Sequence, residues 1–220
     1  MADSFTATAN DSNTIGYAFY GSSAWNTGST NGACQGAYHG PTAADSRVGV
    51  MVFTNAGTVL RGRAISQIVL SITCSGAGTG SNSKVMTFHK ANRQAIPSGL
   101  TGADMVGPTL GTLTGQFYSN TSTHTLSASS NSSFFLQLAA YLAAGNSALV
   151  LYNGETSSST GYSTNYGRII SITITVTYSA STVWYNNNGT WKKCAVYYRN
   201  NGAWVLVTPY YNSGGTWKQV

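Results

Sequence analysis

The sequence predicts an all-β protein: an antiparallel β-sandwich of jelly-roll type with one short helix, followed by a small C-terminal domain of three β-hairpin repeats. Three observations lead there. Apolar and polar residues alternate through several short segments, and Gly-, Ser- and Asn-rich stretches separate those segments. Near the end of the chain, aromatic residues recur with a spacing of 13.

The first strands are read from paired stripes. Val48, Val50 and Val52 point one way, with Met51 and Phe53 on the other side, and Ile68, Leu70 and Ile72 form the next stripe. The clearest stripe is Ile170, Ile172, Ile174, Val176 and Tyr178, interleaved with Ser171, Thr173, Thr175 and Thr177. That pattern is a half-buried antiparallel strand with its threonine side outward. Lys84 to His89 reads as a further strand. Phe134 to Ala144 departs from the pattern, being rich in Leu and Ala and poor in β-branched residues, and predicts the one helix. Asn131, Ser132 or Ser133 would cap its start, and Gly145 suits the position after its end. The helix is expected to plug an end of the sandwich.

Residues 1–180 therefore form one domain and residues 181–220 a second. In the tail Trp184, Tyr197 and Tyr210 correspond, as do Tyr185, Tyr198 and Tyr211, and Trp191, Trp204 and Trp217. Between them lie Asn-Asn-Asn-Gly, Arg-Asn-Asn-Gly and Asn-Ser-Gly-Gly, sequences that accept positive φ in hairpin turns. A tail this short does not bury its own aromatic residues, so these nine are candidates for an oligomer or docking interface. A homo-oligomer is expected, with a trimer as the favoured state.

Composition narrows the function. Hydrophobic residues make up 42% of the 220, enough for a core, while only 7% are charged. The net charge of +6 comes from scattered Lys and Arg, with one mild bias at the end, where Lys192, Lys193, Arg199 and Lys218 follow the last acid, Glu155, and not from the basic stripe that nucleic acid requires. No segment reaches the ~20 apolar residues of a membrane span. Cys34, Cys74 and Cys194 are odd in number and widely spaced, which supports neither a disulfide framework nor a zinc site. The acids Asp3, Asp11, Asp45, Asp104 and Glu155 are dispersed, as are His39, His89 and His124. No carboxylate cluster suits calcium, and no HExxH or GxSxG motif occurs. The Gly-rich stretch beginning at Gly76 precedes a strand and not a helix, so it fails as a phosphate loop. Neither catalysis nor a cofactor is expected. Tyr17, Tyr20, Trp25, Tyr38 and His39 crowd the N-terminal third and are the candidate ligand-binding residues, since exposed rings beside Asn and Gln can stack on sugars.

Two resemblances add to this reading. Ser46 to Phe53, Gly62 to Ile72, Ala148 to Gly154, and Asn165 to Tyr178 resemble in their order the DNRLRE-type β-sandwich, a family that implies surface and carbohydrate-binding roles. The acidic residues usual around that family's helix are missing, and no ligand residue carries over. Val183 to Lys192 and Val196 to Trp204 are similar to the tandem V-x-x-x-x-N-G-x-W-K ends of tailed-bacteriophage structural proteins. This resemblance implies a virion protein of fibre, tail-tip or head-decoration type. Such a chain would contact other virion proteins and a host-surface glycan. The opening Met-Ala-Asp-Ser-Phe-Thr lacks the features of a secretion signal. That fits a protein assembled in a host cytoplasm and released by lysis.

Overall fold

The computed structural model describes residues 2–37, 46–75, 84–115, 120–155 and 166–179, together with six strands between residues 183 and 219. The chain is mostly β, and eleven strands before residue 180 form one curled, antiparallel sheet. Its central path runs β8 (Val106–Gly115), β7 (Lys84–Ala91), β10 (Ala148–Leu151), β5 (Ser46–Val52), β4 (Ala33–Ala37), β11 (Gly167–Ser179), β6 (Ala64–Cys74) and β9 (Thr121–Ser127). β1 (Asp3–Ala9) pairs with β11, and β2 (Ile15–Phe19) pairs with β5 and with the two-residue β3 (Asn26–Thr27).

The curl turns on β4. This strand pairs with β11 through Gln35, Cys34 and Ala33, and with β5 through Gly36 and Ala37. All five of its residues are buried. The main core draws on both halves of the sheet, bringing Leu70 of β6 and its register partner Ile174 of β11 together with Met51, Phe88 and Leu149. A second core lies across β5, where Val48 and Val50 meet Met105, Ala148, Val150 and Tyr152. The two-way stripe read in β5 thus corresponds to a strand with a core on each side.

Among the described residues three helices accompany the sheet, where the sequence predicted one. The expected helix is α3 (Ser132–Ala143). It starts after Asn131 at φ 53 and gives way to Gly145 at φ +94, where a side chain would run into Arg61. Phe134, Phe135, Leu138 and Leu142 enter the main core, and the helix packs on β6, β8 and β9. Gly111 of β8 makes room for it. A Cβ there would lie 2.5 Å from the Phe134 side chain. The two additional helices are single turns, α1 (Ala56–Val59) and α2 (Gly102–Met105). Four-residue helices carry no periodicity to read. α2 does have a capping box, in which Thr101 and Asp104 exchange hydrogen bonds.

The threonine-faced strand also differs in one detail. The pairing of β11 with β6 shifts between Ile169 and Ser171. The extra residue reverses the alternation, so Ile169 is fully buried while Ile170 is only half-buried. From Ile172 to Tyr178 the predicted stripe holds.

Six tail strands form three hairpins: β12 (Val183–Asn187) with β13 (Thr190–Cys194), β14 (Val196–Asn200) with β15 (Ala203–Val207), and β16 (Tyr210–Ser213) with β17 (Thr216–Gln219). Their registers repeat. Asn186 pairs with Trp191, Arg199 with Trp204, and Asn212 with Trp217.

Candidate functional site

Strand directions gather one end of the sheet. Phe19 pairs with Arg47, Ala37 with Ser46, Cys34 with Arg168, Ile169 with Cys74, and Lys84 with Gly115. β2, β4, β6, β8 and β10 therefore finish at this end, and β5, β7, β9 and β11 begin there. The connections 38–45, 76–83, 116–119 and 156–165 all attach to it. The chain leaves β11 at Ser179, which is opposite Ala64 at the other end.

Arg47 organises this end of the sheet. Its guanidinium carbon lies 4.7 Å from the Tyr17 ring centre, 5.6 Å from Phe19 and 5.5 Å from Tyr166. Its Nη1 donates to the Tyr166 hydroxyl at 2.9 Å. Tyr17 and Phe19 alternate outward around Ala18 on β2, and their rings meet edge-to-face at 6.1 Å. A cation enclosed by aromatic rings is stabilised by roughly 0.5–2 kcal/mol per contact, depending on desolvation. Next to it, Arg168 donates through Nε to Ser75 Oγ at 2.8 Å, and through Nη2 to the same oxygen. Cys34 lies inside this group. Burial pushes its thiol up to about 11 against the pull of Arg47 and Arg168. Burial also raises the Tyr166 phenol well above its ordinary range. Both groups stay protonated near neutral pH, so the cluster offers hydrogen bonds and a fixed cation but no activated nucleophile.

The candidate ligand residues separate. Tyr17 belongs to the Arg47 group. Tyr20 and Trp25 instead pack against the second core, across β5. Tyr20 stacks on Tyr152 with centres 5.3 Å apart, and the Trp25 indole donates to the Leu100 carbonyl at 3.0 Å. The Trp25 ring and the Tyr20 carbonyl, which accepts from the Ala103 amide at 2.8 Å, tie the segment around α2 to this region. Tyr38 and His39 lie outside the described residues. So do the side chains of the nine tail aromatics, whose backbones fall in the three hairpins. Sequence reasoning missed Arg47, Phe19 and Tyr166 as a group because they come from three separated segments. The Tyr17-x-Phe19 alternation was the one local signal.

Three of the described acids serve local structure. Asp11 accepts from the Thr14 hydroxyl and Asn13 amide, Asp104 completes its capping box, and Glu155 accepts from Asn153. His89 is buried on β7, its ring nitrogens 3.0 Å from the Gly107 carbonyl and 2.9 Å from the Tyr152 carbonyl. Among the described residues no three His, Cys, Asp or Glu side chains group as metal ligands, and no helix is long and apolar enough to cross a membrane. No family model matches the chain, and no curated protein matches it, so the resemblances of the β region and tail rest on the motifs quoted above.

Proposed function

We propose that the chain is a non-catalytic structural protein of a bacteriophage particle, displaying its β region as a fibre, tail-tip or capsid decoration and serving adhesion at the host surface. The observation that carries this reading is the tail, where three hairpins repeat one register every 13 residues, with Asn-Gly or Gly-Gly in the sequence between their arms. In this account the curled sheet is a jelly-roll-like, DNRLRE-type sandwich spanning residues 1–180. Residues 181–220 form a repeat domain that joins copies of the chain, as a trimer, or docks them on other virion proteins. The chain leaves the β region at the end opposite the connections around Arg47. This suits a subunit anchored through the tail with those connections outward. Mass spectrometry of density-purified particles tests the reading. A fixed copy number per particle supports it, and absence from particles overturns it.

A second reading, a carbohydrate-binding module without catalytic activity, is favoured by the half-exposed Tyr17 and Phe19 beside Arg47. Binding on a glycan array that is lost in Tyr17→Ala would favour this alternative, and a blank array would remove it.

A further inference from the structure

Asparagine is a chemically labile residue, and most so before glycine, which has no Cβ to shield its own backbone nitrogen from the neighbouring side-chain amide. The sequence holds four Asn-Gly pairs, beginning at Asn31, Asn153, Asn188 and Asn201. The first two lie among the described residues, and the fold treats them differently.

At Asn31 the reacting groups are held apart. The Gly32 amide donates to the Gly28 carbonyl at 2.8 Å. Gly32 is buried, and a side chain there would run into the Ile169 carbonyl. The Asn31 side chain is itself anchored, with Nδ2 donating to the Thr27 carbonyl at 2.8 Å. At Asn153 the glycine is open. Gly154 is exposed at φ +77, with clear space where a Cβ would stand. Its amide has no hydrogen-bond partner among the described residues. The Asn153 side chain meets only Glu155: Oδ1 accepts from the Glu155 amide at 3.1 Å, and Nδ2 donates to Glu155 Oε2 at 3.0 Å. The oxygen on which charge develops during attack at Cγ therefore already faces a backbone donor.

We propose that Asn153 is a site of spontaneous deamidation selected by the fold. The Gly154 nitrogen bonds to Asn153 Cγ and gives up its proton. The Cγ–Nδ2 bond breaks, and Nδ2 leaves with that proton as ammonia. Water opens the resulting succinimide at either carbonyl, its hydroxyl joining the carbon and its proton returning to the ring nitrogen. The product is aspartate or isoaspartate. The change lowers the net charge of +6 by one, removes the donation to Glu155 and sets two carboxylates side by side. It falls at the root of the connection 156–165, which brings the chain to Tyr166 beside Arg47. The inference stands independently of the virion and sugar-binding readings.

Peptide mapping by mass spectrometry, on the full chain held in mildly alkaline buffer, tests it. Asn31 and Asn153 are followed in the same sample, with a parallel sample in urea. In the native chain Asn153 should convert on the order of tenfold faster than Asn31, which must first lose its glycine's hydrogen bond. In urea the two rates should converge. Asn153→Gln, whose longer side chain cyclises far more slowly, should remove the conversion at this position and leave that at Asn31 unchanged. Native Asn31 converting as fast as Asn153, a preference that persists in urea, or a native Asn153 that stays intact while the urea sample reacts would each overturn the proposal.

Discussion

Gln35 provides the sharpest test of how the curled sheet is held together. It is fully buried in β4, among residues that pair with β5 and β11. Its side chain nevertheless serves β7. Nε2 donates to the Val85 carbonyl at 2.7 Å, and Oε1 accepts from the Thr87 amide at 3.1 Å. β10 covers the neighbouring stretch of β7 and ends at Leu151, after which the Tyr152 amide still donates to the Thr87 carbonyl. The Gln35 amide takes up the ladder where that strand stops. Gln35→Met keeps most of the volume but satisfies neither backbone group. Two part-buried backbone groups lose this partner at about 1–3 kcal/mol each, so the loss should be about 2–6 kcal/mol. Gln35→Ala adds a cavity and should cost at least ~1 kcal/mol more. Urea unfolding followed by tryptophan fluorescence and circular dichroism measures both, given coincident transitions and an unchanged m-value. A Gln35→Met midpoint equal to wild type would refute the bridging role.

Other outcomes follow from the same geometry. The Tyr141 hydroxyl accepts from the Ala91 amide and Gln94 Nε2, both at 3.0 Å, and donates to the Ala148 carbonyl at 2.9 Å. Tyr141→Phe should therefore lose about 1–3 kcal/mol in urea titrations. Gly111→Val forces α3 away from β8 and should cost about 1–3 kcal/mol or more, read as a lower melting temperature, while Gly21→Ala, whose Cβ would meet nothing, should leave packing intact. Burial raises Cys34 from 9.0 to about 11, Cys74 from 9.0 to about 12 and Tyr152 from 10.0 to about 12. Above pH 9 the unfolded chain releases protons that the native state keeps, so these groups make stability fall as pH rises toward 12 and leave it flat below 9. Urea midpoints at pH 8 and above should show that decline, less steeply in Cys74→Ala. A decline of equal slope in that variant would contradict the assignment.

What could be read from the sequence was local. The stripes of β5 and β6, the strand beginning at Lys84, and α3 with Gly145 after it each depend on neighbours a few residues apart, where period and capping chemistry act. Ile170 shows the limit. A bulge is decided by the partner strand, and nothing in the Ile169-Ile170 pair marks the switch in phase. Gln35 reads as an ordinary polar residue because its partners lie fifty residues along the chain. The Arg47 group needed three segments brought to one sheet end, and Tyr20 and Trp25, close to Tyr17 in sequence, fell on the opposite side of β5. The Thr101-to-Asp104 capping box has a recognisable Thr-x-x-Asp signature, but its helix is too short to have a hydrophobic period.

The central claim is that the chain belongs to a virion, held by its repeat tail with the Arg47 end of the sheet outward. Immunogold electron microscopy of purified particles, with antibody raised against the full chain, addresses it directly. The account predicts gold at one recurring structure, on the head for a decoration protein or at the tail tip for an adhesin. Particles that carry no gold, while the antibody recognises the free chain in the same lysate, would contradict it.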